Sequence, residues 1–234
     1  MRMKQIRFFD CTFDELPLDM QEVYILMGYG SHVPNNDILQ LIQEIVDELK
    51  QRITPHYGYV LVDGEVPEKG KLRLDNQLFN PGVIIAHAMK GAEKYAIFTA
   101  TIGEEFDRYT HQLKEEEDIL RAFIADALGS VLAEAAVSLL MKQLSEAAEA
   151  EGMHISNNYS PGYCDWFLAE QQQLFSLFPN GSTGITLTES CLMLPVKSVS
   201  GIVAIGKGIQ KREYSCAICK MVNCIKNKKK ITTK

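Results

Sequence analysis

Residues 118–149 read DILRAFIADALGSVLAEAAVSLLMKQLSEAAE, and nearly every position favours a single long helix. Ile124, Leu128, Val131 and Ala135 fall on one face at helical spacing and mark it as the buried side. At about 100° per residue, Glu134 lies roughly 80° from the centre of that stripe. It is therefore either half-buried or part of a solvated flank. Gly129 marks close packing by a neighbouring element. Residues 104–117 are also helical in character, with a break near 114–117.

Upstream, KYAIFTATI at 94–102 is a strand rich in β-branched and aromatic residues, closed by Gly103. A helix over 83–90 stops at Gly91, an extended piece covers 72–74, and YGYVLV at 57–62 is a strand ending at Asp63-Gly64. Asn35 and Asn36 offer a cap for a helix in which Ile38, Leu39, Ile42, Ile45, Val46, Leu49 and Ile53 repeat until Pro55. A short amphipathic helix over 19–27 is stopped by Gly28 and Gly30. Downstream come a short helix over 168–178, a turn at 181–184, and strands at 185–187, 192–194 and 199–205. Their connections are too short for parallel crossovers, so these three turn back on one another. The fold class is α+β, an antiparallel sheet with flanking helices, one of them long.

A chain of 234 residues fits one large domain, taken here as 1–215, followed by a cysteine-containing basic tail at 216–234. The net charge of −6 argues against a general nucleic-acid binder, whose affinity needs clustered Lys and Arg. No stretch reads as a signal peptide or as the ~20 apolar residues of a membrane span, so no membrane partner and a cytoplasmic location are expected. Six cysteines outside a secretory context read as thiols or metal ligands.

Three constellations carry chemistry. In NYSPGYCDWFL at 158–168, Pro161 fixes φ and Gly162 admits positive φ, so the chain turns sharply between two tyrosines. Such a turn serves either as a packed corner or as a place where backbone meets a ligand. LTES, with Glu189 and Ser190, and PVKSVSG, with Lys197, Ser198 and Ser200, interrupt apolar strands with polar residues, as a strand edge or a binding site does. Cys216, Cys219 and Cys224 are spaced C-x2-C-x4-C. Three thiolates at that spacing suit zinc or an iron–sulfur cluster, with a fourth ligand from Cys164, Cys191 or Cys11; alternatively they are redox-active or merely a tail. The five histidines are dispersed, and no hydrolase, kinase or dinucleotide-binding pattern is present.

Taken in order, DALGSVLAEAAV, NYSPGYCDW, LTES and PVKSVSGI resemble the activation domain of vitamin B12-dependent methionine synthase over roughly 125–202. The family pattern is R-x-x-P-G-Y, then L-T-E-S, then S-V-S-G. The first third of the chain looks like stand-alone versions of that domain. The resemblance implies an S-adenosylmethionine-binding subunit that supports reductive methylation of cob(II)alamin on a separate, cobalamin-bearing methionine synthase, with an electron from a flavodoxin-like donor. It places the ligand against Ser160, Pro161, Gly162 and Tyr163, with Glu134 as the helix carboxylate and Asn158 where the family has Arg. Asn brings no charge to the ligand carboxylate, so Lys197 or Arg212 is a candidate to supply it. LTES and KSVSG are expected to form the sheet behind the site. The rival readings are a regulatory module that binds S-adenosylmethionine or a corrinoid protein without catalysis, and a metal- or cluster-bearing electron-transfer protein.

Overall fold

The computed structural model describes residues 6–179 and 183–211. In chain order these form β1 (Ile6–Asp10), α1 (Met20–Leu26), α2 (Asn36–Arg52), β2 (His56–Val62), β3 (Gly64–Glu65), β4 (Leu72–Leu74), β5 (Gln77–Phe79), α3 (Gly82–Met89) and β6 (Lys94–Thr101). There follow α4 (Glu104–Glu115), α5 (Ile119–Glu149), β7 (His154–Ile155), α6 (Glu170–Phe175), β8 (Thr186–Leu187), β9 (Met193–Leu194) and β10 (Ser198–Gly206).

Local chemistry sets the helix limits. Asp19, Asn35 and Asp118 each accept a backbone N–H from the first turn of α1, α2 and α5, satisfying donors that a helix start leaves open. Lys50 and Arg52 in the last turn of α2 favour its negative end. The break between α4 and α5 falls at Glu117, whose φ of 59° no helix accommodates.

A five-stranded antiparallel sheet runs β1-β2-β6-β10-β7. Strand alternation divides its side chains between two cores because both faces are covered. On one face Tyr57, Tyr59, Ala96, Phe98, Val203 and Ile205 meet α2, α4 and α5. On the other, Val60, Val62, Tyr95, Ile97, Ile202 and Ala204 meet the β3-β4-β5 ribbon, α3, Trp166 and Leu174. The Tyr95 hydroxyl, buried there, donates to the Met89 carbonyl at 3.2 Å, and burial, then Glu65, pushes its pKa up to about 12.

The expected helices over 19–27, 83–90 and 118–149 and the strands over 57–62, 72–74 and 94–102 are present within a residue or two. Gly129 does mark a close approach, since a Cβ there would lie 2.3 Å from Phe106 Cζ on α4. Four readings need correction. α5 is buried on nearly every side rather than along one stripe, because the sheet lies under it and α1, α2 and α4 flank it. By length and composition α5 is also apolar enough to cross a membrane, contrary to the sequence reading, yet most of it is buried inside this fold. The helix expected over 168–178 is only Glu170–Phe175; beyond it Leu177 N–H and Phe178 N–H bond three residues back, tightening the chain into turns. β8 and β9 pair with each other, whereas β10 pairs with β6 and β7, so the last three strands are not one meander.

Candidate functional site

After α5 the chain reverses near Gly152, whose φ is 69°, and runs back along β10 as the edge of the sheet. Ile155 pairs with Ile205 and Tyr159 with Ile202, so residues 156–158 oppose only 203 and 204. That extra residue is a bulge. Ser156 holds it together: its N–H donates to the Ala204 carbonyl, and its Oγ accepts from Ala204 N–H and donates to the Asn157 carbonyl. The asparagines at 157 and 158 are thereby taken out of the ladder and placed against α5.

Between this bulge and α5 lies a cleft of ≈ 540 Å³ lined by Glu134, Val137, Ser138, Met141, Lys142, Ser145, Glu146, Asn157, Asn158 and Lys211. Glu134 and Asn158, separated by 24 residues in sequence (158 − 134), line it together. Both are half-buried, as the sequence reading allowed for Glu134.

The turn that follows is built as its composition requires. Gly162 has φ 97°, Tyr163 N–H donates to the Ser160 carbonyl, and Gly162 N–H and Trp166 N–H close the loop onto Trp166 O and Tyr163 O. Pro161 and Trp166 are buried, whereas Tyr163 is exposed. Ser160, Pro161, Gly162 and Tyr163 adjoin the cleft in sequence but do not line it.

A polar knot fixes the turn from beneath. Glu170 Oε2 accepts from Trp166 Nε1–H at 2.7 Å and from Asn80 N–H at 2.8 Å, while Oε1 accepts from Asn80 Nδ2 at 2.6 Å. Lys71 donates in turn to Asn80 Oδ1. Phe79 meets the Trp166 ring edge-on at 6.3 Å.

The remaining expected site residues lie apart from the cleft lining. Lys197 does not face Asn158: its Nζ is 2.8 Å from Asp126 Oδ1 and donates to Ser130 Oγ at 2.9 Å, both on α5. Glu189 and Ser190 are exposed in the turn of the β8-β9 hairpin, where the Thr188 hydroxyl accepts Leu192 N–H; of LTES only Leu187 is strand, and that strand pairs in a separate two-stranded sheet rather than in the five-stranded one. Ser198 ties the chain entering β10 to its neighbours, donating to Pro195 O and lying 2.8 Å from Thr101 Oγ1. Ser200 is buried, and its Oγ has no hydrogen-bond partner among the described residues.

Cys216, Cys219, Cys224 and Arg212 lie outside the described residues, as does the 215/216 boundary. Among the described residues no group of three or more His, Cys, Asp or Glu is arranged to hold a metal, and Cys11 and Cys191 are free thiols. Burial first, then Glu15 and Asp10, push the Cys11 pKa up to about 11, which keeps it a protonated thiol near neutral pH.

Sequence reasoning missed Ser138, Lys142, Ser145, Glu146, Asn157 and Lys211. A signal existed in the polar positions 134, 138, 142 and 145 of α5, which recur three or four residues apart in an otherwise apolar helix.

Thirteen chains of solved structures match the fold, among them the crystal structure of the MetH reactivation domain bound to AdoHcy. That match has a TM-score of 0.65 at 16% identity, over 88% of this chain and 80% of the other. No curated protein matches the chain. The family model for the vitamin B12 dependent methionine synthase activation domain matches residues 83–224, which include α5, the bulge, the Pro-Gly turn and β10. The chain belongs to the vitamin B12-dependent methionine synthase activation domain family.

Proposed function

We propose that this chain binds S-adenosylmethionine in the cleft between α5 and the bulge, and presents its methyl group to a cobalamin carried by a separate methionine synthase. The observation that carries the reading is that Glu134 and Asn158 line one cleft beside the Pro-Gly turn. The chemistry is reductive methylation: an electron from a flavodoxin-like donor reduces cob(II)alamin, and the methyl group leaves the sulfonium for cobalt, releasing S-adenosylhomocysteine. The protein's share is positioning. Glu134 accepts hydrogen bonds from the ribose or the amino group, Asn158 meets the carboxylate, and the exposed Tyr163 ring lies beside the cationic sulfonium. The ligand is held at an accessible edge of the sheet, where a corrinoid-bearing partner has access to the methyl group.

The test mixes purified protein, S-adenosylmethionine, a reductant and a cob(II)alamin-loaded partner, and follows methylcobalamin by absorbance. Turnover supports the reading; ligand binding without turnover supports the regulatory alternative; no binding overturns both. Tyr163→Ala is expected to weaken binding and slow methyl transfer while leaving circular dichroism unchanged, because the ring is exposed and the turn is closed by backbone bonds. Unchanged affinity in that variant removes Tyr163 from the site. Asn158→Arg supplies a guanidinium able to pair with a carboxylate through two hydrogen bonds, and is expected to tighten binding by about 1–3 kcal/mol in isothermal titration. A folded variant that binds no better shows that the carboxylate sits elsewhere.

A further inference from the structure

We infer that Lys142 and Lys211 hold the ligand's carboxylate, so that the cleft selects molecules carrying an α-amino-acid end. This rests on the S-adenosylmethionine reading of the same cleft and adds the residues that give it specificity.

The lining supplies two cations, Lys142 and Lys211, and two anions, Glu134 and Glu146. Such a balanced set matches a zwitterion better than a simple anion or a neutral nucleoside. Along α5 the charges are spaced: Glu134 and Lys142 are eight residues apart, which is about 12 Å at ~1.5 Å per residue. The two asparagines of the bulge form the facing wall, offering amide donors and no charge. Only the lysines of this lining bring positive charge to a carboxylate.

Among the described residues neither lysine forms an ion pair, even though Glu146 stands four residues after Lys142, the usual helical pairing distance. Lys197, by contrast, is spent on Asp126 and Ser130, about three to four turns before Lys142 on α5. The lysine expected from sequence to compensate for Asn158 is therefore engaged, and the ones that line the cleft with Asn158 are unengaged. An ammonium on a flexible stem suits this place, since it follows a carboxylate without the fixed geometry a guanidinium imposes.

The experiment titrates S-adenosylmethionine and its decarboxylated analogue into wild type, Lys142→Met/Lys211→Met, and the same double variant carrying Asn158→Arg. Wild type is expected to prefer S-adenosylmethionine. The double variant should bind it about tenfold or more weaker, the loss of one charge-assisted contact, with affinity for the decarboxylated analogue undiminished. Asn158→Arg should restore the preference. If the double variant still prefers the carboxylate-bearing ligand, or weakens both ligands equally, the lysines are not its anchor and the inference falls while the binding reading stands. If wild type binds neither ligand, both fall. All the substituted side chains are partly or fully exposed, and circular dichroism confirms that the fold persists.

Discussion

Gly201→Ala is expected to lower the melting temperature by several degrees and to abolish S-adenosylmethionine binding. A Cβ on Gly201 would stand 2.5 Å from the Tyr159 carbonyl oxygen, 2.8 Å from Ser160 Oγ and 2.9 Å from Phe98 Cε1. The serine can rotate away, but the carbonyl cannot. Tyr159 is bonded in both directions to Ile202, at 3.0 and 2.8 Å, so moving its oxygen breaks the bridge that anchors the bulge to β10. Overpacking of this kind together with a lost buried bridge costs about 2–4 kcal/mol. At ~2–4 °C per kcal/mol for a chain of this size, thermal melting resolves it readily. Gly208→Ala is the control: nothing lies within 4 Å of its Cβ, and melting should hardly move. If Gly201→Ala melts and binds like wild type, the contact between the bulge and β10 does not hold the site.

The glycine of the VSG motif thus has a physical reason to be glycine, and one that sequence alone did not disclose. In sequence the motif stands out only for polar residues that interrupt an apolar strand; the group that approaches Gly201 is backbone, the Tyr159 carbonyl 42 residues earlier (201 − 159). The same holds for the cleft. Glu134 was legible as an edge residue of a long helix, and Asn158 only through the resemblance, as the position where the family has Arg, three residues before Pro161. Their convergence depends on the reversal at Gly152 and on the one-residue bulge at 156–158, and neither has a periodic signature.

Legibility followed length. α2, α5, β2 and β6 repeat their pattern often enough to be read, and the broad α+β class followed from them. β3 and β7 have two residues and β5 three, too few for alternation to show. β1, IRFFD, is an edge strand with an irregular burial pattern, so its apolar residues do not alternate as those of a half-buried strand would. α5 misled in the opposite sense: its alanines let the sheet and three helices approach closely, so burial spread beyond the stripe that its larger side chains announce. LTES misled because its flanking residues are strand-like, whereas the Thr188 hydroxyl closes a turn.

The second large effect concerns Glu170, a residue that no motif or periodicity singles out. Its carboxylate accepts three hydrogen bonds, from Trp166 Nε1–H, Asn80 N–H and Asn80 Nδ2, and so joins the turn to the β4-β5 ribbon across 90 residues. Glu170→Ala leaves the buried Trp166 indole N–H and two Asn80 donors without an acceptor, and Lys71 keeps its bond to an asparagine no longer held in place. Hydrogen bonds to a charged acceptor are worth more than neutral ones, and the loss is expected to cost about 2–4 kcal/mol. Glu170→Gln keeps one oxygen acceptor but turns an amide toward donors, so it should fall between Ala and wild type. Trp166 is the chain's one tryptophan, which makes its fluorescence a direct report on this knot. In Glu170→Ala the emission should shift to the red as water reaches the indole, and S-adenosylmethionine affinity should fall with it, because the turn that follows Asn158 loses its support. An unshifted spectrum with wild-type melting would show that packing of Trp166 against Phe79 alone fixes the turn; a shifted spectrum with unchanged affinity would separate the turn from the ligand and leave binding to the cleft walls.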